Sequence, residues 1–486
     1  MIRCAALVAW LAAEACMAQP CAGTLAGASV IESTHYVVSY VTTPRNIVVG
    51  EHFVVDFTVC ARDNAGAPQS VRVDASMPEH RHGMNYRAAV VTLTPGTYRA
   101  EGLLFHMRGR WELTFDVVSA ASTERLSSPI DLVFSDVEVK RILSLGPWPP
   151  ARANDPSNRV SGKPSAIELG KALFADTALS PSGRVACASC HRPDRAFSDG
   201  LARGVGLARG DRNTPSLMNI GAQRWYGWDG GNDNLWSQSL RPLLDAREMG
   251  GDLAHVATRI RSDAALRDRY AAVFGHPPAA VDEAVAIDAA KALAAYLETL
   301  VTPRTPFDEF RDALARGDRA AMARYPVLAQ RGLAIFAGSG NCTTCHSGPR
   351  LSNGEFHDVG IAFFAEPGRV DPGRYGGIQK VTANRYNLLG AFNDDPARTS
   401  ATSTRHVALE HRNYGEFKVP SLRNVARTAP YMHDGSLATL RDVVRHYSNL
   451  DLDRLHADGE RILKPLALEK YDVDALVAFL ETLSGP

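Results

Sequence analysis

The sequence predicts a multidomain protein in which an N-terminal all-β domain precedes two mainly α-helical domains. Its 486 residues exceed what one hydrophobic core usually serves. Apolar and polar residues alternate in the first third of the chain, whereas apolar residues recur at helical spacing in the remainder. The helical part also repeats a stretch of its own sequence, as two related domains would.

The N-terminal region has the pattern of β-strands from about residue 30 to residue 138. Period-two alternation occurs at residues 52–60, 70–75 and 111–118, with turn signals at residues 63–66 and 95–96. We therefore predict an immunoglobulin-like β-sandwich within residues 19–140. The following segment, 141–163, begins rich in Pro and is then polar, which predicts a linker.

Helical periodicity begins after Pro164, a residue type suited to the first turn of a helix. It returns at residues 284–300 and 473–483, and these two stretches are similar: ALAAYLETL at 292–300 and ALVAFLETL at 475–483. Either the helical part is a duplicated unit, or two helices rich in Ala and Leu are alike by composition. Duplication predicts domains at residues 164–305 and 306–486.

Each of these two domains contains one Cys-x-x-Cys-His motif. The motifs consist of Cys187, Cys190 and His191, and of Cys342, Cys345 and His346. Chance predicts about 0.004 copies at this composition, against two observed. A zinc half-site would need four closely placed ligands, and a thioredoxin-like redox pair would not need the histidine twice. The motifs instead predict two covalently bound haem c groups, with His191 and His346 as iron ligands in cytochrome c-like domains.

The N-terminus is typical of an export signal. Arg3 precedes an apolar stretch at 4–13, and small residues end at Ala18, so we expect a signal peptide at residues 1–18 and a periplasmic protein. Lipid attachment through Cys16 is the weaker alternative, and no later segment has the pattern of a membrane span. Cys21 and Cys60 would then remain for a disulfide. The formal net charge of zero argues against nucleic acid and anionic membranes as partners.

The iron of haem 1, on His191, is predicted to be open on its distal side. No histidine occurs between residues 192 and 224, and Met218 is the one soft ligand there. An open iron can bind peroxide or dioxygen.

The N-terminal domain carries Met and His residues that favour copper outside the cytoplasm. Met77, His80, His82 and Met84 are close in sequence, and His106 and Met107 come later. A solvated loop is the alternative interpretation. This segment resembles the YtkA-like family, whose function is poorly defined.

Further motifs in the helical part resemble the bacterial diheme cytochrome c peroxidase and MauG family, from about residue 160 to the C-terminus. They are RNTPS at 212–216, WDG at 228–230, Gln238, EMG at 248–250, FKVPSLRNV at 417–425 and TAPYMHDG at 428–435. The resemblance implies an enzyme that uses hydrogen peroxide, with Gln238 and Glu248 over the peroxide-binding iron and Trp228 between the haems. It also implies a calcium ion held by Asn213, Thr428 and Pro430. Taken alone, Gln238 and Glu248 would be a solvated helix face and Trp228 a core residue.

The resemblance makes the distal ligand of haem 2 the residue that separates the subtypes. In the family this ligand lies fourteen residues after the histidine of the Pro-Tyr-x-His motif, and it is Met in peroxidases and Tyr in MauG-like proteins. Here that position is Tyr447. A phenolate stabilises oxidised iron, whereas a thioether favours the reduced state. The competing ligands are Met432, His433 and His446, and the alternative role is a packed core phenol.

Three functions follow as expectations. The first is a periplasmic MauG-like oxidoreductase that uses hydrogen peroxide to oxidise a side chain of a protein substrate by long-range electron transfer. The second is a cytochrome c peroxidase that reduces hydrogen peroxide to water with electrons from a small cytochrome c or cupredoxin. The third is a non-enzymatic electron carrier or copper-handling protein, which Gln238 and Glu248 argue against because a carrier gains nothing from an acid/base pair over an open iron.

Overall fold

The computed structural model describes residues 25, 27–45, 47–62, 65–78, 81–107, 109–120, 122–151, 153–362, 364–366, 368–460 and 462–485. The predicted signal peptide, Cys21 and His80 lie outside these residues. Cys60 is part of a disulfide, and its partner lies outside them as well. The chain divides into two compact units, residues 1–136 and residues 137–486.

The first unit is built from β-strands, as predicted. The strands are β1 Ser29–Glu32, β2 Tyr36–Thr43, β3 His52–Ala61, β4 Ser70–Met77, β5 His82–Gly83, β6 Ala89–Thr94, β7 Thr97–Leu104, β8 Gly109–Val118 and β9 Thr123–Leu132. They form two antiparallel sheets, ordered β1-β2-β3-β7-β6 and β5-β4-β8-β9.

Aromatic side chains join the inner faces of the two sheets. The Phe115 ring of β8 lies 5.3 Å from the Tyr40 ring of β2 and 5.2 Å from the Phe57 ring of β3, centroid to centroid. All three are buried in one hydrophobic core. The alternation read from the sequence separates buried from more exposed residues in β4 and β8.

The second unit is mainly helical. Its helices are α1 Asp136–Ser144, α2 Pro164–Ala175, α3 Cys187–Cys190, α4 Leu235–Leu244, α5 Leu253–Ser262, α6 Ala264–Phe274, α7 Asp282–Leu297, α8 Pro306–Arg316, α9 Arg319–Met322, α10 Val327–Ala337, α11 Arg374–Ala383, α12 Thr402–His406, α13 Leu440–Ser448 and α14 Lys470–Glu481. Short strands form two small antiparallel pairs, β10 Phe356–His357 with β13 Phe417–Lys418, and β11 Phe364–Glu366 with β12 Arg369–Val370.

The segment predicted as a linker, 141–163, differs from that expectation. It begins inside α1, and Leu145, Trp148 and Val160 are buried. The Trp148 indole donates to the carbonyl oxygen of Thr302 at 2.8 Å, and the Arg423 guanidinium lies 3.8 Å from its ring centroid. The Pro-rich composition describes the local backbone, whereas the apolar side chains attach the segment to the helical unit.

The repeated sequence corresponds to two equivalent helix pairs. In the first, α2 packs on α7, and a Cβ atom on Gly170 would overlap the carbonyl oxygen of Ala292. In the second, α10 packs on α14, and a Cβ atom on Gly332 would overlap the carbonyl oxygen of Ala475. Ala292 and Ala475 are the first residues of the two similar stretches. The same close helix contact therefore occurs twice, which favours duplication over similar composition.

Candidate active site

A cavity of about 1050 Å³ inside the helical unit is lined by both Cys-x-x-Cys-His motifs. The thiols of the four motif cysteines, Cys187, Cys190, Cys342 and Cys345, are free. Burial raises the pKa of Cys187 and that of Cys342 to about 12. Partly buried thiols at the wall of a large cavity are placed to attach a haem covalently.

The two motif histidines are held in the same way. The backbone N–H of His191 donates to the Cys187 carbonyl, and that of His346 to the Cys342 carbonyl, each at 2.9 Å. The Nδ1 atoms lie 3.1 Å from Phe197 O and 3.0 Å from Leu351 O. Donation from Nδ1 to a carbonyl leaves Nε2 as the basic nitrogen that binds a metal. Burial lowers the pKa of His346 to about 4, which keeps the imidazole neutral. The residues therefore fit two haem c groups.

A further internal correspondence surrounds the cavity. Residues 215–242 align without a gap with residues 420–447. Asn219 and Asn424 adopt the left-handed conformation (φ of 62° and 63°), and their N–H groups donate to Leu300 O and Leu483 O, respectively, at the ends of the similar stretches. Each of the two aligned segments then leads into a helix that begins at a side-chain N-cap, α4 at Asn234 and α13 at Thr439.

This alignment pairs the predicted functional residues of the two halves. Gln238 on α4 corresponds to Val443 on α13, and Pro242 corresponds to Tyr447. All four line the cavity. The half that contains His191 therefore has a proline, which has no ligand atom, at the position where the half that contains His346 has a phenol.

The structure brings Gln238 and Glu248 to the wall of this cavity, along with Cys187 and His191. Gln238 Oε1 accepts a hydrogen bond of 2.8 Å from Asn232 Nδ2. The charge of Glu248 is near enough to act on Cys190, whose pKa burial raises to about 11 with smaller contributions from Asp199 and Glu248.

The Glu248 carboxyl group remains in contact with solvent. Its side chain is 39% exposed, and its Oε1 lies 2.8 Å from Arg241 Nη1. Arg241 sits on α4 one turn beyond Gln238 and also faces Asp245 at 3.5 Å. The ion pair holds the carboxylate at the cavity wall and keeps it hydrated. The sequence motifs do not point to Arg241. It lies on α4, whereas its partner Glu248 follows the end of that helix.

Trp228 lines the cavity and is connected to His433 by two successive hydrogen bonds. Its indole Nε1 donates to Asn213 O at 2.9 Å, and the Asn213 N–H donates to His433 O at 2.8 Å. In the alignment of the halves, Trp228 corresponds to His433. Asn213, Thr428 and Pro430, the predicted calcium residues, line the same cavity.

Charged groups brace this central region. Arg212 contacts Asp229 at 2.9 Å and Asp371 at 2.6 Å, and Lys380 contacts Asp229 at 2.7 Å. The neighbouring cations hold the pKa of the buried Asp229 carboxyl well below its usual range, although burial alone would raise it. These long-range ion pairs join residues before α4 to the segment around α11 and so stiffen the surroundings of Trp228.

Tyr447 lines the cavity together with Cys342, Cys345 and His346. Burial raises the pKa of its phenol, and the two nearby thiols add to the shift. Two of the competing ligands are held by other contacts. His446 Nε2 lies 2.7 Å from Val359 O, and His433 stacks on Phe417 with the ring centroids 3.5 Å apart. Met432 also lines the cavity.

Of the predicted copper residues, Met77, His82 and Met84 lie in the first unit, at the β4–β5 hairpin. His80 lies outside the described residues. The structure adds His106, whose ring centroid is 5.0 Å from that of His82. Within the described part of the chain, the one group of three or more His, Cys, Asp or Glu side chains suited to a metal lies elsewhere, in the second unit: His411, His456 and Asp458.

Family models match both parts of the chain. The model of di-haem cytochrome c peroxidase matches residues 164–316, and the YtkA-like model matches residues 32–116. Across the residues that the structure describes, we find no helix long and apolar enough to cross a bilayer.

Curated relatives resemble this chain over about two thirds of its length. The methylamine utilization protein MauG of Methylorubrum extorquens is 34% identical over 324 residues, which is 66% of this chain and 79% of the relative. The cytochrome-c peroxidase IdrP2 of Pseudomonas sp. (strain SCT) is 32% identical, over 71% of this chain and 86% of the relative.

Solved structures with the same fold include a MauG-like protein associated with microbial copper homeostasis. It superposes with a TM-score of 0.52 at 26% identity, over 70% of this chain and 95% of that one. The diheme peroxidase BthA from Burkholderia thailandensis E264 superposes with a TM-score of 0.53 at 24% identity, over 68% of this chain and 89% of that one.

Proposed function

Because this chain belongs to the diheme cytochrome c peroxidase and MauG family, we propose that it is a MauG-like enzyme of the bacterial periplasm. It would use hydrogen peroxide to oxidise a side chain of a protein substrate through long-range electron transfer. The family accounts for two haem c groups and for a peroxide-using haem oxidoreductase. We further propose that the enzyme oxidises a protein side chain and does not only reduce peroxide.

When bound, the two haems supply iron that reacts with peroxide and that passes electrons. His191 and His346 would hold the iron atoms through Nε2, and the four motif cysteines would form thioethers. The carbonyl bonds to both Nδ1 atoms keep each imidazole in the tautomer that binds metal. The proposal includes a cytochrome c-like domain for each haem and an immunoglobulin-like N-terminal domain.

On the haem 1 side, Gln238, Arg241 and Glu248 would handle the peroxide protons. Breaking the O–O bond is easier when a proton moves from the inner to the outer oxygen. Glu248 can accept and return that proton, and Arg241 keeps its carboxylate at the cavity wall. Gln238 would orient peroxide with the amide that Asn232 holds. Pro242 offers no ligand atom, so a peroxide site stays open.

Between the haem sites, Trp228 would relay oxidising equivalents. An indole is easily oxidised, and the hydrogen bond from its N–H to the Asn213 carbonyl fixes its orientation. The buried ion pairs around Asp229 limit reorganisation nearby. A calcium ion on Asn213, Thr428 and Pro430 would stiffen the same segment through oxygen ligands, the type that calcium prefers.

The observation that carries the proposal is the phenol of Tyr447 in the haem 2 part of the cavity. A phenolate is a hard anionic ligand that stabilises oxidised iron. A site of this kind can store an oxidising equivalent without prior reduction, and a protein substrate can then be oxidised without touching the peroxide site.

The test is to add one equivalent of hydrogen peroxide to the fully ferric protein and to follow both haems by optical and EPR spectroscopy. We expect both ferric signals to be lost together and the oxidised state to persist. If no change occurs until one haem is reduced, the protein is instead a cytochrome c peroxidase that takes electrons from a small cytochrome c or cupredoxin.

Cyanide separates both enzymes from a simple electron carrier. An open haem 1 binds cyanide, whereas a carrier with two six-coordinate haems resists it. A protein in which neither haem binds cyanide would overturn both enzymatic functions.

A further inference from the structure

Two imidazoles meet at one end of the first unit. His82 lies in β5, and His106 follows β7, twenty-four residues later in the chain. Their ring centroids are 5.0 Å apart, with 33° between the ring planes. One metal ion bound about 2 Å from a nitrogen of each ring would fit this separation.

His106 carries an unsatisfied polar atom. Its Nδ1 is buried and has no hydrogen-bond partner among the described residues. A buried nitrogen left without a partner is destabilising, because it has lost its hydrogen bonds to water. A bound metal ion would satisfy it, whereas a purely structural histidine would be expected to find a protein donor or acceptor.

Three methionines belong to the hydrophobic core that these two rings contact. Met77 is fully buried and is the direct cross-strand partner of His82 in the β4–β5 pair, so both side chains project from the same face. A Cβ atom on Gly109 would meet Met77 Cε, which places the thioether end beside the start of β8. Met84 and Met107 are partly buried against the same core.

Trp111 forms the inner wall of the cluster. Both histidine rings stand edge-on to its indole, with centroid distances of 5.9 Å for His82 and 5.3 Å for His106. The indole N–H donates to Met107 O at 3.0 Å, which fixes the loop that carries His106 and Met107. An aromatic face next to a cation site also favours positive charge.

We propose that His82, His106 and Met77 form a copper(I) site in the N-terminal unit, with Met84 or Met107 as an additional thioether. Thioether is a soft donor that selects copper(I), and imidazole is a common copper ligand as well. Among the described residues, no group of three His, Cys, Asp or Glu side chains occurs here, which disfavours zinc and hard cations. The assignment replaces the sequence-based set of Met77, His80, His82 and Met84 by one that combines the β4–β5 pair with the segment after β7. It does not depend on the proposed enzyme activity.

The test is an anaerobic titration of the full-length, haem-loaded protein with copper(I) in competition with bicinchoninate. We expect one tightly bound ion. His106→Gln should weaken its binding by roughly 100-fold, since even residues that only support metal ligands change affinity 10- to 100-fold. Met77→Leu keeps the buried volume and removes the sulfur, so it should fold normally and weaken binding as well.

The control addresses the exposed group His411, His456 and Asp458 in the second unit. His456→Gln should leave the tight copper(I) ion in place. X-ray absorption at the copper edge should report both nitrogen and sulfur neighbours, with a sulfur contribution that falls in Met77→Leu. Loss of the tight ion in His456→Gln, or unchanged binding in both His106→Gln and Met77→Leu, would overturn the proposal.

Discussion

The two halves of the helical unit share one backbone plan and differ in what they present to the cavity. Residues 215–242 and 420–447 align without a gap, and each begins its cavity helix at a side-chain cap. On α4 the cavity positions are Gln238 and Pro242, whereas on α13 they are Val443 and Tyr447. The first half offers a polar side chain and no ligand, and the second offers an apolar side chain and a phenol. In the proposed function, these two positions on one scaffold separate a peroxide site from an electron-storing site.

The largest effect is expected from Tyr447→Met, which gives the second half a peroxidase-type ligand. Replacing a phenolate by a thioether should raise the potential of haem 2 by on the order of 0.2 V, within the range of roughly 0.8 V that axial ligands span. The ferric protein should then no longer react at both haems with one equivalent of peroxide. Spectroelectrochemical titration measures the potential. Tyr447→Phe is the control, because it keeps the ring and removes only the ligand oxygen; an unchanged potential in both variants removes Tyr447 from the ligand set.

The next effect concerns the acid/base group of the first half. Glu248→Gln removes the proton acceptor and should slow the reaction with peroxide by about 10²- to 10⁴-fold, the usual range for general acid–base catalysis. Stopped-flow mixing with peroxide measures this rate. Asp245→Asn is a matched control, since Asp245 also faces Arg241 but at 3.5 Å rather than 2.8 Å. A comparable loss of rate in both variants would mean that the charge balance of Arg241, rather than the Glu248 proton, is what matters.

A smaller effect is expected when the first half is given the phenol of the second half. Pro242→Tyr places the phenol of the second half at the equivalent position of the first. The new side chain should compete for the open iron and weaken cyanide binding to haem 1 by about tenfold, or roughly 1.4 kcal/mol. Optical titration with cyanide measures this affinity. In Pro242→Phe, which adds the ring without the oxygen, cyanide affinity should stay near that of the unmodified protein; equal losses would mean simple blockage of the pocket.

What the sequence predicts well is local in the chain. The two haem motifs need contiguous residues, because two thioethers and an iron ligand must reach one porphyrin, and so their spacing is visible directly. The strands at residues 52–60, 70–75 and 111–118 fall within β3, β4 and β8 because half-buried strands alternate strictly.

What the sequence predicts poorly depends on contacts between distant segments. The linker segment is packed because Trp148 reaches Thr302, which composition does not reveal. Glu248 is hydrated and paired because the turn after α4 brings it back to Arg241. His106 meets His82 because the ends of β7 and β5, which belong to different sheets, lie together, and a search for closely spaced metal ligands therefore selects His80 in its place.

The smallest effect tests whether the halves are also equivalent in stability. Gly170 and Gly332 each lie against a carbonyl oxygen, that of Ala292 or that of Ala475, at the crossing of the paired helices. An added methyl group would force the helices apart, and overpacking of this kind costs about 1–3 kcal/mol. We expect Gly170→Ala and Gly332→Ala to lower the free energy of unfolding by similar amounts in denaturant titrations. Gly183→Ala is the control, because no atom lies within 4 Å of its Cβ position, although its φ of +66° adds a backbone strain of its own. A loss for only one of the two helix glycines would mean that the shared crossing serves different mechanical roles in the two halves.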